Sequence, residues 1–347
     1  MDFTLLESVA KGNLTPGTYD YYAGGADDEL TLADNLAAWQ RMRLRPRVLR
    51  DVTDVDLATT VLGTPVSMPV LVAPTAYHKL AHPQGEIGTA RAAAGADTLM
   101  IASTLATTSL EDIAASVDAP RWFQLYVHRD NDVTRSLIER AVGAGYEAIV
   151  LTVDLAVLGH RPRDERNAFS IEGHEMANLQ TGTPDAEGSG LAAYADTAID
   201  PGLTFEHIEW IKSESGLPVL VKGVVRGDDA AMAVDAGAAA VVVSNHGGRQ
   251  LDTCIATADA LEEVATAVGD RAEVYIDGGV RRGTDVVKAL ALGARAVLIG
   301  RPILWGLAAD GASGVTDVLE FFRTATARAM ALCGAASVDD VDRSLVV

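Results

Sequence analysis

The chain has 347 residues, 48% of them hydrophobic, with 32 Gly and 12 Pro, a composition that is neither collagen-like nor disordered. Forty-eight acidic residues against 28 basic ones leave a formal charge of −20, which argues against a binder of nucleic acid or anionic membrane, because phosphate contacts need a basic face. The N-terminus (MDFTLLES) has no basic segment leading into an apolar run, and no stretch of about 18 apolar residues occurs, so neither a signal peptide nor a membrane span is expected and the cytoplasm is the default location.

Asp (31) outnumbers Glu (17), and Arg (23) outnumbers Lys (5). Two readings fit: an acidic, Lys-poor surface suited to high salt, where screening weakens self-repulsion, or simply an acidic soluble enzyme. Cys254 and Cys333 allow at most one bridge, so no disulfide framework is expected.

In chain order, residues 1–65 read as a mostly helical preface. Short apolar runs then recur as strands at 66–74, 98–103, 121–127, 148–154, 218–223, 239–245, 273–278 and 296–301. Near-continuous apolar runs suit strands buried on both faces, as in a parallel sheet. Helices fit between and after them at 85–95, 109–116, 131–144, 205–215, 226–236, 256–268, 283–292 and 314–332. Ser109 with Glu111 and Asp112 marks a helix start, and Gly145, Gly237 and Gly293 mark helix stops. Eight strands alternating with eight helices is the count for an α/β fold of the (β/α)8, or TIM-barrel, type. A doubly wound open sheet is the runner-up, but it would place its Gly-rich phosphate loop after the first strand, and here the glycines follow the seventh. The whole chain, 1–347, reads as a single domain, with the barrel over 66–334 and a tail at 335–347. Residues 155–204, after the fourth strand, show no sustained period and read as a lid-like loop or a disordered one.

A barrel builds its active site at the C-terminal ends of its strands. Those ends offer Pro74, Thr75 and Ala76, then Ser103, Gln124, Tyr126, Thr152, Asp154, Lys222, Ser244, His246, Asp277, Gly278, Gly279, Gly300 and Arg301. Gly278-Gly279 with Arg281, and Gly300-Arg301, bring backbone N–H groups and guanidinium forks to strands 7 and 8, the common phosphate site of this architecture. In SNHGGRQLD (244–252), His246 and Arg249 suit a proton acceptor beside an anion clamp, and Asp154 can orient that histidine or act as a plain loop acid. Of Arg161, Arg163 and Arg166, one is expected to reach inward. Tyr194 either closes over the site or is solvated.

These segments carry a family resemblance. YDYYAGGADDE (19–29), APTAYHKLAHPQGE (73–86), FQLYV (123–127), LTVD (151–154), LVKGV (220–224), SNHGGRQLD (244–252), DGGVRRGTDVVKALALGA (277–294) and IGRP (299–302) resemble the FMN-dependent α-hydroxy acid oxidase/dehydrogenase family, which includes glycolate and lactate oxidases. The resemblance implies FMN as cofactor. It implies that the Pro74–Ala76 backbone, Ser103, Gln124, Thr152, Lys222 and Ser244 hold the isoalloxazine and ribityl parts. Asp277, Gly279, Arg281, Gly300 and Arg301 then hold the ribityl chain and phosphate. Tyr21, Tyr126, Arg161 and Arg249 contact substrate, His246 is the base and Asp154 its partner. The implied reaction is oxidation of an L-2-hydroxy acid to the 2-oxo acid. Hydride passes to flavin N5 as His246 takes the hydroxyl proton, or the α-proton leaves first. Lys222 favours the reduced flavin. Re-oxidation is by O2, giving H2O2, or alternatively by a quinone or a protein. A homotetramer or octamer is also implied. Relative to glycolate oxidases, Leu105 replaces a Trp and Tyr77 a Met or Phe, and the segment 155–169 is altered. Competing readings are another FMN barrel enzyme such as a type 2 isopentenyl-diphosphate isomerase, a lyase using Lys222 as a Schiff-base amine, and a non-catalytic flavin-binding protein.

Overall fold

The computed structural model describes residues 1–171, 173–179 and 190–347. Three helices come first: α1 (Phe3–Asn13), α2 (Pro16–Ala23) and α3 (Leu30–Arg41). The chain then runs extended into a hairpin of β1 (Thr59–Val61) and β2 (Thr64–Val66) and enters the barrel at β3 (Val70–Val72). From there α4 (His78–Ala81), α5 (Gly85–Gly95), β4 (Met100–Ser103), α6 (Leu110–Ser116), β5 (Arg121–Leu125), α7 (Asn131–Gly143) and β6 (Ile149–Thr152) follow. An excursion holds α8 (Pro162–Arg166) and α9 (Gly190–Ala198). The repeat resumes with α10 (Glu206–Ser215), β7 (Val219–Val224), α11 (Gly227–Asp235), β8 (Ala240–Val243), α12 (Thr257–Val268), β9 (Glu273–Ile276), α13 (Gly283–Ala291), β10 (Ala296–Ile299) and α14 (Arg301–Cys333).

Strands β3 to β10 pair in parallel, each with its sequence neighbours, and β10 closes back on β3 to make a barrel. All eight strands expected from the sequence are in it, seven of them shortened and β7 running one residue further, to Val224. The first differs most, because Val66 belongs to the hairpin and not to the barrel. Inside lies a core of Leu71, Ile101, Trp122, Val150, Leu220, Val242, Tyr275 and Leu298, with Trp122 and Tyr275 edge to face at 5.7 Å. Val61 and Val66 of the hairpin belong to this core. A second core, between strands and helices, takes the intervening residues such as Val70, Val72, Phe123, Ile149 and Val221. This is the two-residue alternation of a strand wrapped into a cylinder.

Three expectations need correction. The preface is helical only to Arg41, since residues 42–58 are irregular apart from an isolated bridge at Leu44 and another at Asp56, and the hairpin follows. The excursion after β6 is not structureless: Pro162 starts α8, and α9 ends where His128 and Ile199 pair as an isolated bridge. Residues 172 and 180–189, part of the expected lid, lie outside the described residues. Finally, α14 starts at Arg301, well before 314, and bends at Asp310–Gly311. There Gly311 is at φ +56 and Gln84 Oε1 accepts from Ala312 N–H at 2.7 Å, restarting the helix. Ser109 caps α6 as expected, accepting from Asp112 N–H at 3.1 Å. Cys254 and Cys333 are both free. Among the described residues, no helix is long and apolar enough to cross a membrane.

Because Leu220 is fully buried at the barrel centre, Leu220→Ala leaves a cavity the closed sheet cannot collapse. The expected loss is ~2–5 kcal/mol in unfolding free energy, read from denaturant midpoints at unchanged m.

Candidate active site

The alternation that fills the barrel also furnishes its mouth. Two residues beyond each inner apolar side chain comes a residue on the same face. Ile101 is followed by Ser103, Trp122 by Gln124, Val150 by Thr152, Leu220 by Lys222, Val242 by Ser244 and Tyr275 by Asp277. The ladder sets Ser103 opposite Gln124 and Thr152 opposite Lys222. These groups form the floor of a cleft of about 1110 Å³, counted out to solvent. Of the residues singled out from the sequence, Tyr21, Pro74, Thr75, Ala76, Ser103, Gln124, Tyr126, Thr152, Arg161, Lys222, His246, Arg249, Asp277, Gly278, Gly279, Arg281, Gly300 and Arg301 line it. Asp154 and Ser244 stand one layer behind.

Ser244 Oγ accepts from Lys222 Nζ at 2.9 Å and from His246 N–H at 3.1 Å, and donates to Asp277 Oδ2 at 3.0 Å. Lys222 and Asp277 form a buried ion pair at 3.1 Å. Burial alone would lower the Lys222 pKa, but Asp277 and Asp154 raise it above its ordinary value, so the amine stays charged.

His246 Nδ1 meets Asp154 Oδ1 at 2.8 Å, leaving Nε2 for the cleft. Burial lowers the His246 pKa most; Asp154 opposes this, and the Lys222 and Arg161 charges add to it, so the net shift is downward. Burial would raise the Asp154 carboxyl, yet His246 and Lys222 bring it below its ordinary value. The pair is therefore a neutral imidazole on a carboxylate at neutral pH.

Arg161 and Arg249 converge beside this pair. Arg161 Nε donates to Arg249 O at 3.1 Å and Nη2 to Gln250 Oε1 at 3.0 Å. Arg249 Nη1 donates to Tyr21 O at 2.5 Å and Gly24 O at 2.9 Å, with its guanidinium 4.8 Å from the Tyr21 ring centroid. Among the described residues neither makes an ion pair. Burial first, then Arg249, pushes Arg161 down to about 10. Arg163 instead turns away to Glu29 and Asp20, and Arg166 is exposed.

At the other end, Arg281 spends one hydrogen bond on its own neighbour, Val280 O at 2.9 Å, and burial pushes it down to about 10. Arg301, also in the lining, has protein partners as well: its guanidinium binds the carbonyls of Tyr22, Gly247 and Gly24 at 2.9, 3.0 and 2.8 Å, tying the N-terminal segment to the His246 loop. Gly279 is constrained from outside, since a Cβ there would come 1.9 Å from Asn35 O.

Four buried polar atoms at or behind the cleft have no protein partner: Gln124 Nε2, Thr152 Oγ1, Asp154 Oδ2 and Asp277 Oδ1. The Gln124 amide is oriented because Thr104 N–H and Ser103 Oγ both donate to its oxygen, each at 3.2 Å, which aims Nε2 inward. A floor of unspent donors and acceptors beside a cation at Lys222, with a guanidinium at Arg281 that makes one backbone hydrogen bond, fits a flat polar heterocycle carrying a phosphate.

Sequence reading missed Tyr22, Leu155, Ile199 and Leu304 in the lining. None lies on a strand end, and Ile199 carries no local signal in the excursion. Tyr194 is buried, with its hydroxyl 2.7 Å from His128 Nε2, so it is neither solvated nor in the lining. Tyr77 is also outside the lining, fully buried behind it, and its carbonyl accepts from Tyr22 Oη at 2.7 Å.

A barrel mouth with a His–Asp pair beside guanidinium groups is the site of an enzyme that acts with a base on a bound anion. The FMN-dependent dehydrogenase family profile matches residues 10–347, and the chain belongs to that family. It is 52% identical to L-lactate oxidase of Nostoc sp. over 350 residues, covering 98% of this chain and 96% of that one. It is 49% identical to human 2-hydroxyacid oxidase 1, covering 98% and 94%. A crystal structure of mandelate oxidase with (S)-4-hydroxymandelic acid superposes with TM-score 0.94 at 43% identity, covering 99% of this chain and 97% of that one.

Asp154 is the group that holds the His246 pKa up against burial. In Asp154→Asn the imidazole is expected to titrate lower still, read by NMR titration of the His246 ring; an unchanged or higher pKa would contradict the assigned balance.

Proposed function

We propose that the chain oxidises an L-2-hydroxy acid to its 2-oxo acid, using FMN held in the barrel mouth. The observation that carries this is the pair of guanidinium groups, Arg161 and Arg249, which make no ion pair among the described residues, beside a neutral His246 on Asp154. Two converging cations with only the Asp164 charge nearby suit a further anion, and a base within reach of it suits removal of a proton.

When bound, FMN supplies the two-electron acceptor that no protein side chain provides. The Pro74–Ala76 backbone, Gln124, Thr152 and Lys222 would hold its ring, while Arg281, with the Gly278, Gly279 and Gly300 backbone, would hold its phosphate. Arg161 and Arg249 grip the substrate carboxylate and fix the α-carbon against the floor, which is where most positioning benefit arises. Burial first, and Asp154 next, push the Tyr126 phenol upward, so it stays a proton donor toward a substrate oxygen. Tyr21, stacked on Phe169 at 4.1 Å and likewise pushed upward by burial, does the same. His246 Nε2 takes the hydroxyl proton, and Asp154 stabilises the imidazolium through Nδ1. Leu105, Leu155 and Ile199 give that wall no titratable group, which suits an uncharged substituent. With O2 as terminal acceptor, two electrons and two protons leave as H2O2; the oxidase names of the relatives support this choice. Lys222 is held charged, so it does not suit the Schiff-base reading, which needs a neutral amine.

The purified protein should be yellow and should bleach on anaerobic addition of a 2-hydroxy acid; a flavin that stays oxidised across a panel of such acids refutes the proposal. His246→Gln should keep FMN and slow bleaching by ~10²–10⁴. The base must be neutral and its pKa is lowered from 6.5, so the wild-type bleaching rate should be flat at neutral pH and fall only below that value. Arg249→Met should weaken a carboxylate ligand far more than its neutral amide analogue; equal losses would remove the clamp.

A further inference from the structure

The turn that carries His246 is unusual in its backbone. His246 sits at φ +57, with Gly247 and Gly248 at +66 and +75. A non-glycine residue in the left-handed region persists when its surroundings over-determine it. The surroundings here come from the far end of the sequence.

Asn35 of α3 and Asn245, the residue before His246, are both buried and meet amide to amide. Asn35 Nδ2 donates to Asn245 Oδ1 at 2.9 Å, and Asn245 Nδ2 donates back to Asn35 Oδ1 at 2.9 Å. Asn245 Oδ1 also accepts from Gly248 N–H at 3.1 Å, and Asn245 Nδ2 also donates to Ile255 O at 3.0 Å. Asn35 Oδ1 takes a second bond from Thr257 N–H at 3.2 Å. The backbone donors at both oxygens settle which end of each amide is which. The same helix braces the turn after β9. Trp39 Nε1 donates to Gly278 O at 2.9 Å, and the Asn35 carbonyl fills the space where a Gly279 side chain would stand. The helix is itself started from the His246 loop, because Asp252 accepts from Leu30 N–H at 3.3 Å and Thr31 N–H at 2.8 Å.

We infer that Asn35 is a positioning residue: acting through Asn245, it holds the His246 turn so that Nε2 faces the cleft, and locks that turn to the Gly278–Gly279 turn as one unit. The inference rests on the reading of His246 as base. Apolar contact would dock α3 equally well in several registers. A reciprocal amide pair with satisfied backbone partners accepts one.

The test uses full-length, FMN-loaded Asn35→Ala, Asn245→Ala and the double variant, followed by anaerobic stopped flow. Asn35→Ala is expected to slow flavin reduction by about 10- to 100-fold, with a much smaller change in KM. The double variant should be no slower than the slower single one, because the two residues act in series. The acid limb of the reduction rate should move, since His246 shifts against Asp154. NMR titration of the His246 ring, in apoprotein as well as holoenzyme, should show the same displacement without turnover. Should Asn35→Ala not fold, Asn35→Ser, whose hydroxyl cannot reach both Asn245 and Thr257, gives the same reading. A folded variant with unchanged reduction rate and unchanged His246 titration overturns the inference, as do additive effects of the two single changes. Normal reduction by His246→Gln would instead overturn the base assignment, so the two failures are distinct.

Discussion

A strand that closes into a cylinder must send every second side chain inward, and that constraint governs this protein from core to cleft. The inward positions run from Leu71, Ile101, Trp122 and Leu220 in the middle to Ser103, Gln124, Thr152 and Lys222 at the end. Apolar residues below make the cylinder stable; polar ones above are held by the same backbone and inherit its rigidity. One shift of register would turn Lys222 out among the helices and bury an unpaired charge there. The stability of the barrel and the geometry of the cleft are therefore a single property.

Charge is distributed against the grain of the chain. The whole carries −20, yet the cleft is lined by Lys222, Arg161, Arg249, Arg281 and Arg301, against Asp277 in the lining and Asp154 behind it. A positive hollow inside an acidic protein focuses small anions inward. The neutral His246 is kept so by the same concentration of cations, with burial as the larger cause. Anion capture and a base free of its proton at neutral pH thus have a common origin.

Much of this was legible in the sequence because strand ends are local. Eight apolar runs gave the barrel, and the polar residues closing six of them gave the floor. The His246 and Arg249 motif needed only its own nine residues, SNHGGRQLD. What was not legible depends on distance along the chain. Ile199 lines the cleft because its bridge to His128 carries it there, and nothing around residue 199 announces that. Asn35 looks like any polar residue in a surface helix until Asn245 is placed opposite it. The hairpin was read into the helical preface, with only Val66 in the first strand, because three-residue strands are too short to show a period. The roles of Arg301 and Gly279 were read as ligand contacts, whereas each also answers to a neighbouring backbone.

The carbonyls of Tyr22 and Gly24 that receive Arg301, and those of Tyr21 and Gly24 that receive Arg249, come from the opening segment of the chain. The eight strands thus close on one another without the leading helices, while the cleft is not complete without them. Grafting the strand-end loops onto another barrel would transplant the polar floor but leave two guanidinium groups without the oxygens that aim them. In this protein the modular unit for exchange is the barrel together with its leading helices, which ties two stretches more than two hundred residues apart into one inheritable part.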